Sequence, residues 1–130
     1  MSYGLAQARY ASDAAHTVSP GRLLTMLYDR LITDLTIAED ALRTAQYATA
    51  GERLGNAQEI LWELHATLNT TVWPEGQGLA KIYLWVVGEL LQARARQDPE
   101  QVATCRVLLE PLRDAWRQAS QNSTAQLVVS

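Results

Sequence analysis

The side chains able to do chemistry are few and dispersed. The 130-residue chain has two histidines, His16 and His65, and one cysteine, Cys105. Zinc needs clustered Cys and His ligands, and none cluster here. A di-iron bundle needs Glu-x-x-His on two helices plus two further inward carboxylates. The nearest match is Asp13-Ala-Ala-His16, a single copy close to the N-terminus. Nucleophilic catalysis needs a nucleophile, a base and an orienting group. Cys105 falls in an apolar helical stripe, where it reads as a small inert hydrophobe. Glu39-Asp40 and Asp98-x-Glu100 read as helix-surface and capping charges rather than an acid–base pair. No phosphate-binding loop or dinucleotide fingerprint is present, and "EGQG" is only a turn. The expectation is a protein with no catalytic residue, no metal and no cofactor.

The elements that would have to position such groups are helices. Ser19 suits an N-cap and Pro20 the first helical position. From there Leu24, Tyr28, Leu31, Leu35, Ala38, Leu42 and Ala45 recur at spacings of four and three, the period of a core-facing helix. This helix is expected to end near Tyr47, with Gly51 in the turn or just inside the next helix. The second stripe is Leu54, Ala57, Leu61, Leu64 and Leu68, stopped by the loop-forming stretch "NTTVWPEGQG". The third is Leu79, Tyr83, Val86, Leu90 and Ala93. The fourth opens at "DPEQ", where Asp98 can cap, Pro99 starts the helix and Gln101 can close a capping box. Its stripe is Val102, Cys105, Leu109, Leu112 and Trp116. Pro111 predicts a kink, or else a helix that ends near Leu109.

The expected fold is all-α, an antiparallel up-and-down four-helix bundle with an N-terminal arm or short capping helix. Residues 1–18 form the arm, 19–119 the bundle and 120–130 a disordered tail. The net charge of -3 and pI near 5.3 argue against nucleic acid, which needs a basic patch. Of 11 basic residues only Lys81 is a lysine. The start has no basic-then-apolar signal pattern. No run reaches the roughly 18 apolar residues of a membrane span. A lone cysteine forms no internal disulfide. These features suit the cytosol, with no membrane insertion.

The chain nevertheless carries more apolar surface than a four-helix core needs. At about 100° per residue, Leu23, Met26 and Ile37 lie off the main stripe of the first helix. On the third, Val87, Leu91 and Leu84 lie at about 80°, 120° and 140° from Leu79. Trp62 points away from the stripe of the second. Three solutions present themselves: the arm folds over this surface through Leu5 and Tyr10, the chain forms a homodimer, or a groove receives a partner segment. Leu23, Met26, Trp62, Leu84, Val87 and Leu91 are the groove candidates.

Several segments in order resemble the flagellin-specific export chaperones of bacteria, the FliS family. Tyr10 precedes "SPGRLLTMLYD", which is similar to the family's helix opening. "NAQEILWELHATLN", with Ala57, Ile60, Glu63-Leu64 and Leu68, resembles its second helix. "LAKIYLW" resembles its Leu-x-x-Leu-Tyr-x-Tyr through Leu79, Ile82, Tyr83 and Trp85, and "LLEPLRDAW" its closing leucines and tryptophan. The likeness spans roughly Tyr10 to Trp116. Asn56 stands where the family usually has lysine, "WPEGQG" replaces a Gly-Gly pair, and Pro111 is unusual. The resemblance implies a helical bundle that binds the C-terminal segment of newly made flagellin in the cytosol, blocks its premature polymerisation and keeps it ready for export. It further implies contact with the export apparatus and gives Tyr10 the role of a displaceable cover. Tyr28, Tyr83 and Trp116 are expected in the core. The alternative is a chaperone or adaptor for a different secreted substrate.

Overall fold

The computed structural model of the chain describes residues 20–68 and 76–121. Four helices account for them: α1 Pro20–Arg43, α2 Tyr47–Thr67, α3 Gly76–Arg96 and α4 Pro99–Ser120. The helices close a ring. Each packs on the next, and α1 packs on α4. Ion pairs fix the antiparallel sense, since Asp29 meets Arg117 at 2.8 Å and Glu39 meets Arg106 at 3.1 Å. The expected bundle is therefore the observed one. α1 is the most embraced helix, and α3 meets its two neighbours more sparsely. Tyr10, Ser19 and the C-terminal tail lie outside the described residues.

The stripes became the core. Leu31, Leu35, Ala38, Leu54, Ala57, Leu61, Val86, Leu90, Val102, Cys105 and Leu109 are fully buried. Across the diagonal of the ring, Tyr28 of α1 and Tyr83 of α3 join through their hydroxyls, with ring centroids 6.3 Å apart. Trp116 of α4 also hydrogen-bonds to Tyr28. An indole N–H can only donate, so the Tyr28 oxygen accepts from it. Three helices thus share one polar knot; the expected core placement holds for Tyr28 and Tyr83, while Trp116 is partly buried and packs against the core.

Several boundaries differ from the periodicity. α1 stops at Arg43, short of the expected end near Tyr47, and α2 begins at Tyr47, so Gly51 is its fifth residue, just inside the helix as expected. Ala45 is a turn residue at φ 58° rather than a core position. Gln46 N–H reaches back to the Ala41 carbonyl and closes a left-handed helix stop. The α3–α4 connection repeats the device, with Gln97 at φ 52° and Asp98 N–H bonded to the Ala93 carbonyl. At the other end of the bundle, α3 begins at Gly76, inside the stretch expected to be loop. Asp98 does cap α4, accepting from the N–H groups of Glu100 and Gln101. The Gln101 side chain closes no capping box and turns instead to Glu89 and Gln92 of α3. α4 runs through Pro111 to Ser120. The carbonyl freed four residues earlier belongs to exposed Val107, where water can satisfy it.

Candidate functional site

α3 lies between two seams, and polar contacts identify them. Gly51 of α2 faces the guanidinium of Arg94, which marks the α2/α3 seam. Gln101 of α4 reaches Glu89 at 3.2 Å, which marks the α3/α4 seam. On α3, with Leu79 as origin, Arg94 lies at about +60° and Glu89 at about −80°. Val87, Leu91 and Leu84 at about +80°, +120° and +140° therefore fall on the α2 side. On α2, with Leu61 as origin, Gly51 and Trp62 lie at about +80° and +100°, while Arg53, which pairs with Asp34 of α1, lies at about −80°. Trp62 thus faces the same seam from its other bank.

Three of the six candidates meet here with their side chains open to solvent: Trp62 at 50%, Leu84 at 43% and Leu91 at 56% exposure. Trp62 rests edge-on against His65, centroids 6.0 Å apart. Val87 corrects the angular count, because it is only 8% exposed and belongs to the core. A helix held between two neighbours buries a wider arc than its central stripe, so a side chain about 80° off centre slips under the α2 seam. Val87 is the groove floor rather than its surface. Leu23 and Met26 do not join this group. Met26 lies about 160° from Tyr28, on the outer face of α1, and is exposed. Leu23 is half-buried and lies on the Asp34 side of α1, toward the other flank of α2.

A second apolar strip escaped the surplus count. Trp85 lies at about −120° from Leu79 and is 48% exposed. Across the α3/α4 seam, exposed Leu108 sits on the same flank of α4 as Gln101. Partly buried Ile82 and Leu112 pack on the core beneath them. The signal was available, since the angular test that found Leu84 also puts Trp85 outside the stripe on the opposite flank.

Arg94 stands at the rim of a cavity of about 200 Å³ at the upper end of the α2/α3 groove. Leu42, Ala50 and Leu54 are buried in its wall, and Tyr47, Arg94 and Gln97 are exposed around it.

Burial is the leading cause of the shifts among the titratable groups inside the bundle. Burial, then the nearby Glu89 charge, pushes the Cys105 thiol up to about 12. It is therefore a neutral thiol at physiological pH and a poor nucleophile. Burial pushes the Tyr28 hydroxyl up to about 12, against the pull of its bonds to Tyr83 and Trp116. Burial also raises Glu63, a carboxylate only 6% exposed. Among the described residues no three His, Cys, Asp or Glu side chains gather as a metal site. No helix among them is long and apolar enough to cross a membrane.

Comparison with known proteins agrees with this architecture. A family profile described as "Flagellar protein FliS" matches residues 2–123. The flagellar secretion chaperone FliS of Bacillus subtilis (strain 168) is 29% identical over 113 residues, which cover 87% of this chain and 84% of that protein. The protein of the same name from Salmonella typhimurium is 30% identical over 116 residues, covering 88% and 86%. A solved structure, described as a flagellar chaperone from bacteria, superposes with a TM-score of 0.74 at 23% identity, over 91% of this chain and 97% of that one.

Proposed function

From the premise that this chain belongs to the FliS family of flagellar secretion chaperones, we propose that it binds the C-terminal segment of flagellin on the exposed flanks of α3. The single observation that carries this reading is the pair of open apolar strips. Trp62, Leu84 and Leu91 line one side of α3, and Trp85 and Leu108 the other. At about 25 cal/mol per Å², leaving such side chains in water forfeits several kcal/mol of burial. A client segment that is disordered alone gains this burial by ordering in the grooves, at an entropy cost. While covered, the segment is withheld from polymerisation and kept ready for export. The role is not enzymatic, and the work is done in the cytosol by residues 19–119. Tyr10 acts as the displaceable cover, Leu23 and Met26 offer a lesser contact on α1, and the loaded chaperone meets the export apparatus.

The test is titration with whole flagellin and with flagellin lacking its C-terminal segment. Only the whole protein is expected to bind, with a large negative heat-capacity change from apolar burial. Equal binding to both, or to neither, overturns the reading in favour of another secreted substrate or a homodimer.

A further inference from the structure

The cavity at the upper end of the α2/α3 groove has a feature that apolar burial does not require. Of the other arginines near this end of the bundle, three are engaged, while Arg96, like Arg94, pairs with no carboxylate among the described residues. Arg43 pairs with Glu39 and Glu100, Arg53 with Asp34, and Arg106 with Glu39 and Glu110. Among the described residues no carboxylate pairs with Arg94, which lines the cavity together with Tyr47 and Gln97. Its guanidinium lies against the α2 backbone at Gly51, where an added Cβ would come within 3.2 Å of Nη2. A glycine inside a helix gives up helix propensity, and here, five residues into α2, it leaves the space that Arg94 occupies. The groove continues downward from this point. Leu91 is one turn below Arg94, and Leu84 is about 15 Å below it along the axis.

An exposed guanidinium at the end of an apolar groove has the chemistry of a carboxylate clamp. We propose that this cavity receives the terminal α-carboxylate of the client chain, held by Arg94. The bound segment then has a direction, running from its end at Arg94 back along Leu91 and Leu84 toward Trp62. This assignment rests on the chaperone reading above and adds the polarity of the client and the group that fixes it.

The experiment compares two synthetic peptides of the flagellin C-terminal segment, one a free acid and one a C-terminal amide, by calorimetry on the full chain. Losing one charge-assisted contact is expected to weaken the amide about tenfold. Arg94→Gln should weaken the free acid by the same factor and leave the amide unchanged, with helical circular dichroism preserved. Gly51→Ala should raise Tm, since alanine is the better helix former, while it weakens the free acid by moving Arg94. Equal affinity of acid and amide for the unsubstituted chain overturns the clamp and leaves the chaperone reading standing. So does an Arg94→Gln loss that is equal for both peptides. Failure of both peptides to bind the unsubstituted chain overturns the chaperone reading and the clamp with it.

Discussion

At the scale of residues, the groups that matter most inside the bundle are hydroxyls and carboxylates. Tyr28 holds both Tyr83 and Trp116, so the two phenols are not equivalent. Tyr28→Phe leaves two polar groups short of a partner, whereas Tyr83→Phe leaves Trp116 still bonded. Chemical denaturation should show a loss of about 2–3 kcal/mol for the first and about 1 kcal/mol for the second. The double variant should cost less than the sum of the two, because the hydroxyls share one bond. Two carboxylates set opposite slopes in the pH profile. Burial alone raises Glu63, so the native state binds its proton more readily than the unfolded chain does. Its contribution is present at acid pH and is lost as pH rises above about 4.3 and through its raised native value. Burial raises Glu39 as well, but its bonds to Arg43 and Arg106 outweigh this and hold it low. Its contribution is present above the ordinary glutamate range and is lost as pH falls through its lowered value. Thermal melts across pH should therefore show Glu63→Gln stabilising near neutrality and Glu39→Gln destabilising there, with both differences vanishing in strong acid.

At the scale of elements, the bundle's two tight connections are built alike from residues poorly suited to them. Ala45 and Gln97 both hold left-handed backbone, which costs a residue with a Cβ roughly 1 kcal/mol or more. Glycine adopts it freely. Ala45→Gly and Gln97→Gly should each raise stability by about 0.5–1 kcal/mol, read as an increase in Tm, despite glycine's greater freedom in the unfolded chain. The α3–α4 turn is announced by Asp98 and Pro99, but the α1–α2 turn carries no glycine or proline. This is why Ala45 passed as one more stripe position and α1 was expected to run on to Tyr47. Pro111 is the converse case, a strong stop signal that the element overrides. Leu109 before it and Leu112 and Trp116 after it pack on the core, and α1–α4 ion pairs lie on either side.

At the scale of the whole molecule, the sparse contacts of α3 leave apolar side chains on both its flanks. Whether a residue there is groove or core depends on how far the neighbour reaches. Leu91 and Val87, one turn apart on one helix, test this directly. Leu91→Ser should change stability by no more than about 0.5 kcal/mol while weakening flagellin binding. Val87→Ser puts a hydroxyl and a cavity into the core and should cost about 2 kcal/mol or more. Similar stability losses for the two would mean that the seam does not divide them.

The sequence by itself determined the helices, their inward stripes and the bundle, because the 3.6-residue period and the Asp98–Pro99 start are local signals that each element carries alone. It also determined that apolar side chains would be left over, since a circumference can be counted without knowing what surrounds it. Only the tertiary structure decided which leftovers meet. Trp62, Leu84 and Leu91 share a seam because α2 and α3 pack together, while Met26 stands apart on α1. Val87 is lost to the core, Trp85 and Leu108 face each other across the α3/α4 seam, and Arg94 comes to rest on Gly51, more than forty positions away in the chain. Those outcomes turn on which helix lies beside which and how closely, a property of the packed ring that no single stretch of sequence encodes.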